Sequence, residues 1–320
     1  MTYPLASAFQ PQSITHETIA INTALALKMA HAGTPADLAD AREQFASGKR
    51  TTPITPRSPD AREVSITSGN AQIMLRIIAH PDPAGVYLHI HGGGWMVGRA
   101  DMRDGQLQKM ADDTGMACVS VEYRLAPEHP YPAPVEDCEA AANWLIDHAM
   151  AQFGSQKLCI GGESAGAHLA VLTLLRLRKA GRQHHFLGAN LAYGVYDLSL
   201  TPSAASAEQD LVCNRHEMLE AGAAFRAGMD ARSAEVSPLY ADLSRLPPAL
   251  FSVGTLDPLL DDSLLMHARW LMAGNDGLLA VYPGGLHGFN TYGGALANEA
   301  NARMHNFLKS KLEGTRRALA

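Results

Sequence analysis

The chain has 320 residues, of which 47% are hydrophobic, and it carries a formal net charge of −6. This length fits one large α/β domain, alone or with a smaller appendage. Lysines and arginines form no basic stripe and no apolar run approaches the ~20 residues of a bilayer span, which argues against nucleic-acid partners and membrane insertion.

The N-terminus and the cysteines both predict a cytoplasmic chain. Residues 1–12 lack a charged start followed by an apolar stretch, so we expect no secretory signal. The four cysteines show no Cys-x-x-Cys spacing. Cys118, Cys138 and Cys159 fall in predicted strands or helices, where buried reduced thiols are expected, and the fourth cysteine is Cys213.

The first part of the chain predicts two helices and a linker. Apolar side chains recur at helical spacing over 13–32, with Ser13 as the expected N-cap and Gly33 as the stop. A second, shorter helix is predicted over 35–47. Residues 48–59 are rich in Thr, Pro and Arg, which is typical of a linker.

The pattern then changes to strands. Short apolar runs over 64–67 and 73–77 flank Gly69-Asn70, which predicts an antiparallel hairpin. Strands and helices alternate from there on, which implies right-handed crossovers and a mostly parallel, buried sheet. The predicted strands cover 86–90, 117–121, 158–161, 186–195, 249–253 and 278–282, and the predicted helices cover 102–114, 134–149, 168–178, 263–273 and 296–312.

Ser164 lies in a Gly-x-Ser-x-Gly sequence between a predicted strand and a predicted helix. A tight strand-to-helix turn forces such a serine into a strained backbone conformation and exposes its hydroxyl to a base. Only small neighbours fit in the crowded turn, and Gly162 and Gly166 supply them. The helix that begins there directs free amides and the positive end of its dipole at the site. The pattern therefore predicts a nucleophile.

Three consecutive glycines follow the strand over 86–90, in the sequence His-Gly-Gly-Gly-Trp. Glycines let a loop approach closely and turn its amides inward. Ester cleavage places negative charge on the carbonyl oxygen, and the amides of Gly93, Gly94 and Ala165 are candidate donors to it. A flexible turn is the simplest alternative. A nucleotide-binding loop is disfavoured, because Val97 stands in place of the third glycine of Gly-x-Gly-x-x-Gly and no Gly-Lys-Ser/Thr ending follows.

Two further loops after predicted strands carry an acid and a histidine. Asp257 follows one strand, and Pro258 stops that strand from continuing. Asp261, four residues later, is expected to be the N-cap of the next helix. His287 lies in a glycine-flanked loop after another strand. The order Ser164, Asp257, His287 is typical of α/β-hydrolases, in which the histidine takes the serine's proton and the aspartate holds the histidine tautomer.

The other histidines have simpler explanations. His89 and His91 lie two apart on one strand, a spacing that suits a metal, but no acidic ligand follows closely and we predict no metal site. His184 and His185 fall in a predicted loop and are expected to be solvated. His168 is expected to pack within the helix that follows the nucleophile.

These motifs together resemble the hormone-sensitive-lipase-like branch of the α/β-hydrolases, the bacterial family IV esterases with a His-Gly-Gly-Gly-Trp loop. The segment 123–133, Tyr-Arg-Leu-Ala-Pro-Glu-His-Pro-Tyr-Pro-Ala, matches that branch as well. So do the tripeptides Asp-Pro-Leu from residue 257 and His-Gly-Phe from residue 287. The resemblance covers about residues 60–312.

The resemblance implies an α/β-hydrolase fold, with a mostly parallel central sheet flanked by helices and a helical cap. The Ser/Thr/Pro-rich stretch 199–232, with a predicted helix over 216–228, interrupts the alternation. The expected division is N-terminal cap helices over 1–55, a catalytic core over 56–198 and 233–320, and a cap insertion over 199–232. The implied triad is Ser164, Asp257 and His287, the oxyanion hole is Gly93, Gly94 and Ala165, and the expected pocket lining is Trp95, Met218, Leu219 and Phe225.

The chain departs from that branch at two positions. Glu163 stands where that branch usually has an aspartate before the nucleophile. Ala167 stands where it usually has a further glycine after the Gly-x-Ser-x-Gly sequence. Glu163 keeps the charge but adds a methylene, so its contacts are expected to differ. Ala167 favours a helix over glycine. Neither change removes a reacting group.

The sequence therefore predicts a carboxylesterase that hydrolyses short- to medium-chain acyl esters through an acyl-enzyme, with no metal or organic cofactor. A related hydrolase of amides, formamides or acetylated sugars would use the same site. A small-molecule receptor is the alternative outside enzymes, although plant gibberellin receptors, which resemble this branch, lack the working histidine that His287 supplies. Triglyceride lipase activity is disfavoured, since the sequence has no extended apolar face. A homodimer through the last strand remains open.

Overall fold

A computed structural model describes residues 5–49, 56–208 and 212–317 of the chain. Its strands are β1 (Arg62–Ser68), β2 (Ala71–Ile78), β3 (Gly85–Ile90), β4 (Met116–Glu122), β5 (Leu158–Glu163), β6 (Phe186–Ala192), β7 (Ala249–Gly254) and β8 (Gly277–Tyr282). They form one sheet in the spatial order β1-β2-β4-β3-β5-β6-β7-β8. The pairs β1–β2 and β2–β4 are antiparallel and the other pairs are parallel. The sequence predicted the β1–β2 hairpin and a mostly parallel sheet, and the antiparallel β2–β4 pair is an addition to that prediction.

Helices connect the strands and cover the sheet. They are α1 (Leu5–Ala8), α2 (His16–Ala32), α3 (Leu38–Ala46), α4 (Asp104–Thr114), α5 (Ala133–Phe153), α6 (Ala165–Lys179), α7 (Pro202–Ala205), α8 (Arg215–Arg226), α9 (Leu260–Met272) and α10 (Gly294–Arg317). Short 3-10 turns cover Pro11–Ser13, Ala100–Arg103, Gln183–His185, Pro238–Tyr240 and Phe289–Thr291. No helix in the described ranges has the length and apolar character needed to cross a membrane.

Alternate residues of β3 belong to two different hydrophobic cores. Val86, Leu88 and Ile90 pack in the core that contains buried residues of α5 and α6, whereas Tyr87 packs in the core that contains residues of α4 and α10. Successive side chains of a strand point to opposite faces, and here helices cover both faces. This explains why every residue of β3 is buried.

Two of the predicted helix caps are wrong. α2 begins after Thr15, whose hydroxyl accepts a hydrogen bond from the Thr18 amide at 3.1 Å, while Ser13 ends the preceding 3-10 turn. Asp261 lies inside the first turn of α9, where its carboxylate accepts from the Ser203 amide at 2.8 Å. Several polar residues near a helix start can serve as the cap. Tertiary contacts, which local sequence does not contain, decide among them.

Other local predictions agree with the structure. Gly33 ends α2 with a φ of +72°, which favours glycine. The thiols of Cys118, Cys138 and Cys159 are buried and free. Residues 50–55 of the predicted linker lie outside the described residues.

Candidate active site

Ser164 occupies the sharp turn between β5 and α6. Its φ is +56° and its ψ is −123°, a strained combination for a residue with a side chain. The turn is held because the Ser164 amide donates to the carbonyl oxygen of Ala192 at 2.9 Å. A β-carbon at Gly162 or Gly166 would collide with the carbonyl oxygen of Ile90 in β3. The two glycines therefore allow the turn to lie directly against the end of β3.

The structure brings the three predicted triad residues together. The Nε2 atom of His287 lies 2.9 Å from the hydroxyl of Ser164. The Nδ1 atom lies 3.0 Å and 3.1 Å from the two carboxylate oxygens of Asp257. Since a carboxylate only accepts hydrogen bonds, Nδ1 carries the proton and Nε2 faces the serine as an acceptor. Asp257 and His287 are both buried.

Hydrogen bonds donated by backbone amides join the loop of Asp257 to the loop of His287. The amide of Leu256 donates to the carbonyl of Gly285 at 3.0 Å, and the amide of Gly284 donates to the hydroxyl of Thr255 at 2.8 Å. The Asp257 carboxylate is itself fixed by the amide of Leu259 at 2.8 Å. The acid and the imidazole are thus held by one connected set of loops.

Two tyrosines that the sequence reasoning missed support His287. The ring of Tyr193 meets the imidazole edge-on, with centroids 4.9 Å apart, and its hydroxyl donates to Asn290 at 2.6 Å. The hydroxyl of Tyr292 donates to the carbonyl of His287 at 2.9 Å. Tyr193 has a φ of +36°, which ends β6 three residues before the predicted strand end. The sequence carried no signal for this role, because Tyr193 fell inside the strand predicted over 186–195.

The glycine loop exposes backbone amides. Gly93 and Gly94 have φ values of +121° and +57°, and a β-carbon at Gly93 would collide with the carbonyl of Val97. Among the residues that the structure describes, the amides of Gly93 and Gly94 donate no hydrogen bond. Ala165 is the first residue of α6, where an amide has no partner within the helix. All three amides are therefore available to a ligand.

The histidines of β3 and of the loop after it bind to separate partners. His89 Nε2 lies 2.9 Å from the Glu163 carboxylate, and its Nδ1 lies 3.0 Å from the hydroxyl of Ser120. The ring of His91 stacks on Tyr123, with centroids 4.2 Å apart. Within the described part of the chain, no three potential ligands of the His, Cys, Asp and Glu types are grouped for a metal ion.

The four predicted pocket-lining residues lie in two environments. Trp95 and Phe225 are buried and stacked on each other, with centroids 4.7 Å apart. Met218 is also buried, whereas Leu219 is 44% exposed on α8. Any contact of these side chains with a substrate stays a prediction.

His168 connects the glycine loop to the segment after α8. The indole N–H of Trp95 donates to its Nδ1 atom at 3.1 Å, and its Nε2 atom donates to the carbonyl of Val236 at 2.8 Å. The side chain is fully buried. Burial lowers the pKa of His168 from 6.5 to about 4, since the hydrogen bond to Val236 opposes this only in part. The neutral ring therefore holds both contacts.

Acid should destabilise the protein through His168. Between about pH 6.5 and pH 4 the unfolded chain binds a proton at this side chain that the folded protein does not bind, so stability falls as pH falls through this window. Acidification from pH 7 to pH 5 should reduce the free energy of unfolding by about 2 kcal/mol through this group. Urea denaturation at both pH values should show a smaller acid loss for His168→Gln. Substitution of the exposed His16 by Gln serves as control, and an equal loss in wild type and His168→Gln would contradict the prediction.

Comparison with known proteins identifies the family. The family model described as alpha/beta hydrolase fold matches residues 87–291. The esterase LipI of Mycobacterium tuberculosis is 31% identical over 287 residues, which cover 83% of this chain and 87% of LipI. The chain belongs to the α/β-hydrolase family.

Further relatives of this α/β-hydrolase point to one branch of the family. The acetyl esterase of Salmonella schwarzengrund is 28% identical over 267 residues, which cover 80% of this chain and 81% of that protein. A solved esterase of the bacterial hormone-sensitive lipase family superposes with a TM-score of 0.81 at 27% identity, covering 93% of this chain and 99% of that one. The predicted resemblance to the hormone-sensitive-lipase-like branch is confirmed.

Proposed function

We propose that this α/β-hydrolase is a carboxylesterase that cleaves short- to medium-chain acyl esters through an acyl-enzyme. The observation that carries the proposal is the 2.9 Å contact between the Ser164 hydroxyl and His287 Nε2, with Asp257 on the other ring nitrogen. A hydroxyl, a neutral imidazole and a carboxylate in this arrangement form an activated nucleophile. The relatives named esterases support an ester as the substrate.

The first half of the reaction acylates the serine. His287 removes the proton from Ser164 as the hydroxyl oxygen attacks the ester carbonyl. Negative charge then develops on the carbonyl oxygen, and the amides of Gly93, Gly94 and Ala165 stabilise it. When the intermediate collapses, His287 donates its proton to the departing alcohol. The acyl group remains bonded to Ser164.

The second half of the reaction uses water in place of the alcohol. His287 removes a proton from the water, and the resulting hydroxide attacks the acyl carbonyl. Asp257 stabilises the imidazolium in both halves and keeps the ring oriented. Collapse of the second intermediate releases the carboxylic acid and returns the proton to Ser164. The nucleophile, the base and the oxyanion donors of this mechanism all belong to the chain, and the ester and the water are its substrates.

We also propose that residues 1–55 and 199–232 form a cap beside the site. Arg42 of α3 donates to the carbonyl of Met96, next to the glycine loop, at 2.9 Å, and binds the carboxylate of Glu128 through two nitrogens. On α8, the carbonyl of Phe225 accepts from the Tyr131 amide at 2.7 Å. Both helices are thus tied to loops that follow β3 and β4, which supports a cover over the substrate.

A panel of p-nitrophenyl esters tests the proposed substrate class. With a covered site, we expect kcat/KM to be greatest between acetate and octanoate and to fall for laurate and palmitate. A matched series of p-nitroanilides should react far more slowly, because an amide is a poorer acyl donor. Fast anilide turnover with no ester turnover would favour the amide hydrolase, and the absence of both would favour a receptor. A cytoplasmic location and a homodimer stay predictions from the sequence.

A further inference from the structure

Glu163, the residue before the nucleophile, contacts the loop that carries the oxyanion donors. One carboxylate oxygen accepts from the amide of Gly92 at 3.3 Å and from Nε of Arg103 at 2.9 Å. The other oxygen lies 2.9 Å from Nε2 of His89. Only 12% of the Glu163 side chain is exposed. A single carboxylate therefore joins the end of β5, the end of β3 and the residue before α4.

The charge of Glu163 is maintained despite its burial. Burial by itself would raise the pKa of this carboxyl, but the hydrogen bonds and charges of His89 and Arg103 outweigh it and hold the pKa well below its usual range. An ionised acceptor strengthens the hydrogen bonds that it accepts. The carboxylate is thus a fixed acceptor for the N–H groups that surround it.

Gly92 is the point at which this carboxylate acts on the glycine loop. Its amide is adjacent in sequence to Gly93, the first of the two glycines with free amides. A β-carbon at Gly92 would lie 2.8 Å from the backbone carbonyl oxygen of Glu163, so the two segments are in direct contact. A shift of the Gly92 amide would move the Gly93 amide with it. An oxyanion donor is effective only at a narrow range of distances from the oxygen.

We propose that Glu163 is a positioning residue, which holds the glycine loop (residues 91–95) in place beside the nucleophile through the amide of Gly92. The proposal rests on the proposed esterase function. In the proposed esterase mechanism, Glu163 touches no reacting atom. The carboxylate acts through the loop, and its contribution appears in the transition state, where the carbonyl oxygen becomes charged.

A pair of variants separates this role from general stability. The double substitution Glu163→Met with Arg103→Met, called the Met variant, removes the acceptor without leaving a buried arginine unpaired. The double substitution Glu163→Gln with Arg103→Met, called the Gln variant, differs from the Met variant only at residue 163 and restores one oxygen acceptor for the Gly92 amide. The cluster also lines a cavity of about 260 Å³ whose walls include the polar side chains of Gln106, Asn190 and Asn301, which leaves room for water beside the altered side chains. Glu139→Gln, which breaks the ion pair with Arg176 between α5 and α6, is the control for losing a carboxylate elsewhere.

The measurements are kcat and KM for p-nitrophenyl butyrate and the inhibition constant of a trifluoromethyl ketone, which forms an oxyanion adduct with the serine. The Met variant should lose about 10- to 100-fold in kcat, with KM changed less than about 3-fold. Its affinity for the ketone should fall by a similar factor as kcat/KM, since both depend on oxyanion binding. The Gln variant should recover most of both losses.

Equal kcat and ketone affinity in the Met and Gln variants would overturn the proposal, as would a loss confined to KM or an equal loss in Glu139→Gln. If the Met variant does not fold, Glu163→Ala with Arg103→Met provides the comparison: the small side chain also removes the acceptor, and wild-type kcat would overturn the proposal. Wild-type protein without ester turnover would instead refute the esterase function. The two failures are therefore distinguishable.

Discussion

Replacing Ser164 with alanine is expected to lower kcat for p-nitrophenyl butyrate by about a millionfold. The hydroxyl is the atom that attacks the ester, and in the described structure its side chain contacts His287 Nε2 at 2.9 Å. Alanine keeps the β-carbon that the turn between β5 and α6 already accommodates. The variant should therefore fold with a melting temperature close to that of wild type. Steady-state kinetics, with thermal denaturation of the same samples, provide the measurement.

Covalent labelling provides the control for Ser164. An organophosphate should add one phosphoryl group per wild-type chain and none to Ser164→Ala, as measured by intact mass. The amide of Ser203 donates to Asp261 and its hydroxyl donates to the carbonyl of Pro258, outside the proposed relay, so Ser203→Ala should be labelled like wild type. Residual turnover by Ser164→Ala above one-hundredth of the wild-type rate would contradict the assignment of the nucleophile.

Asp257→Asn should lower kcat/KM by about ten thousandfold. The carboxylate accepts from Nδ1 of His287, which leaves Nε2 unprotonated toward Ser164. An asparagine NH₂ group in the same place would donate to Nδ1 and force the proton onto Nε2. The imidazole would then face the serine as a donor and could not remove its proton. Kinetics with p-nitrophenyl acetate at neutral pH measure the loss.

Asp261→Asn is the matched control for this substitution. Asp261 lies four residues after Asp257, near the start of α9, and bonds to Ser203 instead of the imidazole. It should retain activity within about 3-fold of wild type, because it has no contact with a reacting group. A loss of less than about tenfold in Asp257→Asn, or an equal loss in Asp261→Asn, would show that another group orients the histidine.

The sequence predicted the architecture and the position of the three triad residues. Ser164, Asp257 and His287 each follow a strand in a loop with glycine or proline, and parallel strands bring such loops to one edge of the sheet. The spacing of the motifs along the chain was therefore enough to place them together. The assignment of their roles stays a prediction that the variants above test.

The rest depended on contacts that no local pattern contains. Arg103 and His89 reach Glu163 from 60 and 74 residues away, and Tyr193 reaches Asn290 across 97 residues. Charged and aromatic side chains are common in any sequence, so their pairing appears only when the sheet is assembled. The N-cap of α2 at Thr15 was missed for a related reason, because Ser13 belongs to the preceding 3-10 turn and not to the helix.

The close contact of the two glycines that flank the Ser164 turn with the backbone of Ile90 limits where the substrate selectivity of this enzyme can change. Because Gly162 and Gly166 each abut the carbonyl of Ile90, no larger residue can be accommodated there. Substitutions at Gly162 and Gly166 are therefore not a route to a new substrate specificity. New specificities should instead arise in α3 and α8 of the proposed cap, whose side chains Arg42 and Phe225 contact residues in or next to the glycine loop, and libraries for directed evolution are best built on those two helices.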